Sequence, residues 1–254
     1  LAAFAPNPSV GTQNIITQML ARLPKDTVRL NHAVDAISQK DGIVTVTTKN
    51  GQTFQAKKAI VTIPPVLWTS IKWSPPLPGA KTLISNSLAM PAYSKMVFVF
   101  DRDWWRPRFS GAVLFVEGPI QFIRETSVPA KACWTLTCFA TGEKGFAWGA
   151  QSKAARRQSA WQALTSAFAG WVGDIPEPVA AHEMLWERQE YFWGAPSASW
   201  PPGMLSKGLQ KDLKAPHHNV HFAGSETATS FKGYMEGGLQ AAHRAVGEVF
   251  GGKL

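Results

Sequence analysis

The sequence predicts a chain of α/β and α+β character, in which an α/β layer is interrupted by an inserted domain built on a mixed or antiparallel sheet. Three observations lead there. "AIVTI", closed by two prolines, reads as a buried strand, and "VHFAG" near the end reads as a second. A helix rich in glycine and alanine follows "VHFAG". Between these pieces lie four strand candidates in succession, "SKMVFVF", "AVLFVE", "IQFIRE" and "ACWTLTCFA", an order that suits a separate sheet better than βαβ repeats. The 254 residues suffice for one large or two smaller cores. With 45% hydrophobic and 17% charged residues, the composition is globular.

Taken in order, "GTQNIITQMLARL" places Ile16, Met19, Leu20 and Leu23 at helical spacing, with Thr12 available as a cap. "TVRLN" reads as a short strand. "AVDAIS", "IVTVTT" and "QTFQA" form a meander, turning at Asp41-Gly42 and Asn50-Gly51, where left-handed backbone is needed. "WSPPLPG" is a rigid connection and "AKTLISNSL" a short helix. After the four strands, "KAARRQSAWQALTSAFAGWVG" is a helix with Trp161, Leu164, Phe168 and Trp171 on one stripe. "VAAHEMLWERQ" is a further strand and "WGAPSASWPPG" an extended loop. The last helix begins at Gly233 or Tyr234, with Met235, Leu239, Ala242, Val246 and Val249 along one face. Gly238, Ala241 and Ala245 are further close-packing positions.

The formal net charge is +9, but the basic residues are scattered. No zinc-finger spacing or stacking motif points to nucleic acid. Cys133 and Cys138 are an odd number of residues apart on one strand, which argues against a local disulfide and favours free thiols. His217-His218 reads as an exposed turn rather than a metal site. Ser225, Ser230 and His221 are close in sequence but lack a nucleophile elbow, which argues against a hydrolase. No run is long enough to span a membrane. The expectation is a soluble protein, and the terminal "GKL" is similar to a peroxisomal address except at its first residue.

In "VHFAGSETATSFKGYMEGGLQAAHRA" a strand runs through a polar crossover into a helix whose first turn is poor in side chains. Backbone N–H groups at such a start form an anion or carbonyl site, and Glu226 suits sugar hydroxyls better than phosphate. The string strongly resembles the closing segment of the flavin-containing amine oxidases, the group with monoamine oxidases, polyamine oxidases and L-amino-acid oxidases. "GTQNIITQMLARL" is similar to the family's GGTQ-type helix start, with Val10 where glycine is common. "KKAIVTIPP", "WSPPLP", "MPAYSKMVFVFDRDWW" and "WPPG" also match in order.

This resemblance implies an incomplete Rossmann-like FAD-binding domain, residues 1–66 and 203–254, with a mixed-sheet substrate-binding domain, 67–202, inserted. It places Gly224, Ser225, Glu226, Thr229, Gly233 and Met235 along the ribityl chain and pyrimidine edge of FAD. The Met235 N–H would face the flavin C2 carbonyl. Pro64 and Trp200 also fall at cofactor-binding positions. Lys95, which from its neighbours alone reads as an exposed strand-end lysine, matches the lysine that holds a water against flavin N5. Tyr234 matches one aromatic wall of the substrate cage. Pro196 stands where a second ring would face it, so Trp193 or Trp200 would have to supply another wall. Ala195 matches the cysteine of covalent flavin attachment, which implies non-covalent FAD.

The implied reaction is oxidation of an amine to an imine, with O2 reduced to hydrogen peroxide. An L-amino-acid oxidase would instead use Arg102, Arg106, Arg124 or Arg188 against a substrate carboxylate. No strand–G-x-G-x-x-G–helix unit occurs in the 254 residues. The expectation is therefore an N-terminal FAD-binding chain or segment as partner, or else a truncated, non-catalytic interaction module.

Overall fold

The structure is a computed structural model that describes residues 11–106 and 112–251; Val10 and the terminal "GKL" lie outside them. In chain order the regular elements are α1 (Gln13–Ala21), β1 (Val34–Lys40), β2 (Ile43–Thr48), β3 (Thr53–Ala56), β4 (Ala59–Val61), β5 (Lys72–Ser74), α2 (Gly79–Ser87), β6 (Tyr93–Phe100), β7 (Ala112–Leu114), β8 (Phe122–Glu125), β9 (Trp134–Thr141), α3 (Gly142–Ala150), α4 (Lys153–Phe168), β10 (Ala180–Met184), α5 (Gln210–Lys214), β11 (Val220–Phe222) and α6 (Met235–Val249). They fall into two units, Leu1–Val28 with Ala92–Glu187, and Arg29–Pro91 with Arg188–Leu254. Among the described residues no helix is long and apolar enough to cross a membrane.

The unit containing Ala92–Glu187 is built on a five-stranded sheet, β10-β6-β9-β8-β7, antiparallel in every pairing. β6, between β10 and the central β9, alternates strictly. Ser94, Met96, Phe98 and Phe100 are buried, while Tyr93, Lys95, Val97 and Val99 on the other face are half-buried. Met96, Phe98 and Phe100 pack with Leu136, Trp148, Leu164 and Phe168. α4 is capped by the Ser152 hydroxyl, which accepts from the Ala155 amide. The stripe foreseen on this helix holds for Leu164 and Phe168, but Trp171 lies beyond its end and is exposed.

The other unit contains the predicted meander, β3-β2-β1, with β5 added parallel to β1. Asp41 and Gly42 both adopt positive φ (52° and 78°), as the tight β1–β2 turn requires. β4 and β11 pair in parallel, Ala59 to Val220 through Val61 to Phe222. Trp68, Ile84, Leu213 and Phe222 are at the centre of this core.

Four readings need correction. "TVRLN" forms no strand: Val28 and Leu30 are exposed, and Asn31 turns the chain at φ 62°. Thr12 sits at the α1 N-cap in helical backbone and makes no side-chain cap. His217 is buried, its Nε2 3.1 Å from the Pro75 carbonyl. The inward face of α6 has the expected Ala241 and Ala245, but with Gly237 in place of Gly238, and Met235 and Leu239 are exposed. Cys133 and Cys138 are free, as expected, and burial pushes the Cys138 thiol up.

Candidate cofactor and substrate site

The loop between β11 and α6 is held by its own backbone. After the three buried residues of β11, the Ala223 amide extends the ladder to the Val61 carbonyl, at 2.8 Å. Gly224 then turns at φ 108°, and a Cβ there would lie 3.3 Å from the Thr62 carbonyl oxygen. One turn of 3-10 helix, Ser225–Thr227, follows, with the Thr227 amide and hydroxyl both bonded to the Gly224 carbonyl (3.0 and 2.9 Å). Glu226 is the middle residue of that turn. Among the described residues its carboxylate accepts only a long bond, 3.3 Å, from the Ser225 hydroxyl.

α6 starts without a side-chain cap. Tyr234 is the N-cap in extended backbone, and the first helical bond runs from the Gly238 amide to the Tyr234 carbonyl. The Met235 and Glu236 amides form no hydrogen bond among the described residues. They are donors at the positive end of a helix dipole. Tyr234 and Met235 beside them are about half exposed (53% and 57%). Gly237 is obligatory here, because a Cβ would fall on the Phe231 carbonyl. Gly233, at φ 80°, lies against Ser197, with 3.0 Å from its ideal Cβ to Oγ.

The remaining predicted positions divide. Thr229 is already engaged, its hydroxyl 3.1 Å from Lys214 Nζ. Pro64 follows β4 and caps the 3-10 turn Pro65–Ser70. Trp200 packs against the core of its unit. Trp193, at φ 59°, borders an open cavity of about 400 Å³ with Val66, Thr69, Leu88 and Met90. Pro196 lies in a loop strapped to the 89–91 segment by bonds from the Ala195 amide to the Pro91 carbonyl and from the Ser199 amide to the Ala89 carbonyl (3.0 and 2.8 Å). Gly194 is needed there, since a Cβ would fall on the Pro91 carbonyl.

Lys95 belongs to the other unit. It is the third residue of β6 and half-buried, not an exposed strand end. Phe139 and Met184 flank it across the sheet. Its ammonium lies 5.3 Å from the Phe139 ring centroid and 5.7 Å from that of Tyr93. It has no hydrogen bond or ion pair among the described residues, and burial holds its pKa below the usual lysine range. Phe139 stacks on Phe122 (4.3 Å, 15°) and meets Tyr93 edge-on at 5.5 Å. The reading of the sequence missed these three rings. The available signal was two-residue alternation from Lys95 to Tyr93; Phe122 and Phe139 needed the strand register.

Arg106 donates twice to Glu125 (3.0 and 2.9 Å), and Arg102 is 3.7 Å from Asp101. Both therefore already face carboxylates. Among the described residues no group of three metal-ligating side chains occurs.

Comparison with known proteins adds to this geometry. The family model described as flavin containing amine oxidoreductase matches residues 4–250. Amine oxidase [flavin-containing] B of Sus scrofa is 29% identical over 245 residues, covering 94% of this chain and 46% of the relative. The amine oxidase [flavin-containing] of Danio rerio is 30% identical over 244 residues, again covering 94% of this chain and 46% of the relative. The chain thus spans about half the length of the curated relatives it matches. Among solved structures, cyclohexylamine oxidase from Brevibacterium oxydans IH-35A superposes with a TM-score of 0.85 at 26% identity, over 94% of this chain and 52% of that one. Putrescine oxidase bound to putrescine shares the fold, with a TM-score of 0.86 at 23% identity over 95% and 53%.

Proposed function

The chain belongs to the family of flavin containing amine oxidoreductases, and from that premise we propose that it forms part of an FAD-dependent oxidase of primary or secondary amines. When bound, FAD supplies the acceptor for the electron pair lost as the substrate's carbon–nitrogen bond is oxidised to an imine; O2 takes the pair on to give hydrogen peroxide. The observation that carries the reading is the uncapped start of α6. Its free Met235 and Glu236 amides suit the carbonyl-bearing pyrimidine edge of a flavin, where negative charge collects on reduction.

Glu226, on the turn before α6, supplies acceptors for ribityl or ribose hydroxyls. Ala195 offers no thiol, so the cofactor is held without a covalent bond. The phosphate grip comes from a glycine-rich segment outside these 254 residues. The unit containing Gly224 and Met235 serves the cofactor, and the unit containing Lys95 serves the amine. Tyr93, Phe122 and Phe139 offer apolar ring faces to the carbon skeleton, and π-faces favour a cationic amine on entry. Lys95 orients a water through Nζ, and burial, which lowers its pKa, makes the ammonium a readier proton donor to that water. Tyr234 supplies one wall, with Trp193 as the candidate for another.

The test is FAD titration by absorbance, with peroxide release on a panel of amines and L-amino acids. It is made on the chain alone and with the glycine-rich half of a relative supplied in trans. Saturable flavin binding with peroxide from amines supports the proposal. Peroxide from L-amino acids alone would transfer the assignment to an amino-acid oxidase. No flavin binding in either preparation overturns the proposal and leaves an interaction module.

A further inference from the structure

Arg244 lies two and a half turns into α6, away from the uncapped helix start, yet it governs the loop that carries Glu226. Its Nη2 donates to the Phe222 carbonyl at the end of β11 and to the Thr227 hydroxyl, 3.0 Å away. Its Nη1 donates to Glu248, whose second oxygen is 2.9 Å from His221 Nδ1 on β11. The Thr227 hydroxyl in turn donates to the Gly224 carbonyl. One planar guanidinium therefore ties together the strand end, both ends of the turn and the helix.

Thr227 is 1% exposed, so this arrangement is shielded from water. Glu226 has little hold of its own beyond the long Ser225 contact. Its carboxylate is placed by the backbone, and the backbone of 224–227 is placed by Arg244. The same side chain fixes the distance from that turn to the helix whose first amides are free. A lysine at this position would be a point charge without the fork, unable to hold two acceptors in one plane. Gly224, at φ 108°, has no side chain with which to stiffen the turn.

We propose that Arg244 is the positioning residue of the cofactor site: through Thr227 and the Phe222 carbonyl it sets Glu226 and the α6 amides at the spacing a sugar-linked heterocycle needs. This rests on the FAD reading above. Two variants test it in the preparation that binds FAD. R244K keeps the charge and loses the fork; T227V keeps the shape and loses the hydroxyl, with Arg244 still held by Glu248 and Phe222. The measurements are FAD affinity, the visible spectrum of the bound flavin, and the melting temperature without FAD.

Each variant is expected to weaken FAD binding about tenfold, the loss of one charge-assisted hydrogen bond, and to shift the flavin spectrum. T227V is expected to melt somewhat below the wild type without FAD, because it removes two bonds shielded from water. Wild-type affinity and spectrum in both variants would overturn the positioning role, even if R244K melts lower, because a merely structural tie moves only the melting temperature. If R244K does not fold, T227V alone decides. If the wild type binds no FAD, the cofactor reading itself fails, and this inference falls with it.

Discussion

At the scale of single residues, two lysines are withdrawn from water to different degrees and for different ends, Lys95 half and Lys81 fully. Lys95 faces aromatic rings with no carboxylate to neutralise it. Replacement by methionine keeps its length and removes the polar head. Lys95→Met should lower peroxide turnover about a hundredfold while the melting temperature holds or rises, since a desolvated charge is gone. Steady-state kinetics beside a thermal melt check both. Lys81 is a core residue, donating to the Asp212 and Leu213 carbonyls (2.7 and 3.2 Å) beneath the rings of Phe222 and Trp68. Burial lowers its pKa to about 7; Asp212 and Glu248 act in the opposite direction and Arg244 in the same one.

The sign of the Lys81 effect follows from proton counting. Between pH 7 and the ordinary lysine value the unfolded chain binds the proton and the folded chain does not, so stability rises with pH across that window. Below pH 7 both states are charged and the dependence disappears. The rise amounts to at most about 5 kcal/mol. Melting temperatures from pH 6 to 10 should climb more steeply for the wild type than for Lys81→Met; parallel profiles would contradict the assignment.

At the scale of elements, α6 shows what a pattern conveys and what it hides. Its start at the Tyr234–Met235 boundary was legible, because a polar crossover leads into a periodic segment. Its inward face was legible only in part: Ala241 and Ala245 were expected to pack closely and do. Small residues carry little hydrophobic signal, so Met235 and Leu239 were also assigned inward, and Gly238 was named where Gly237 makes the close approach. Gly237→Ala should therefore cost about 1–3 kcal/mol through overpacking against Phe231, despite alanine's better helix propensity. Chemical denaturation measures this, and a stabilised variant would refute the packing argument. β6 was read correctly because period-two alternation survives without context. "TVRLN" alternates too, but forms no strand among the described residues. α3, with "GEKGFAWGA", was not foreseen, since three glycines weaken its helical signal. Gly149 lies against Glu187, whose carboxylate the Ser94 hydroxyl meets at 2.7 Å, a tertiary reason invisible in the string.

At the scale of the whole molecule, the string from His221 to Ala245 disclosed the family. The aromatic face around Lys95 stayed hidden because Phe122, Phe139 and Tyr93 are brought together only by strand register. The two units also differ in how they are threaded. The five-stranded sheet comes from one stretch, Ala92–Glu187, whereas the other unit joins Arg29–Pro91 to Arg188–Leu254.

The parallel pairing of Ala59 with Val220 has a consequence in time. Such a long loop must close before β4 and β11 can meet, and distant closure is slow compared with neighbouring hairpins. Pulse-labelled amide exchange during refolding should show Met96 and Leu136 protected before Val61 and Phe222. The ladder that leads into Gly224 would then be among the last to lock, and a nascent chain would stay blind to its ligand until that closure.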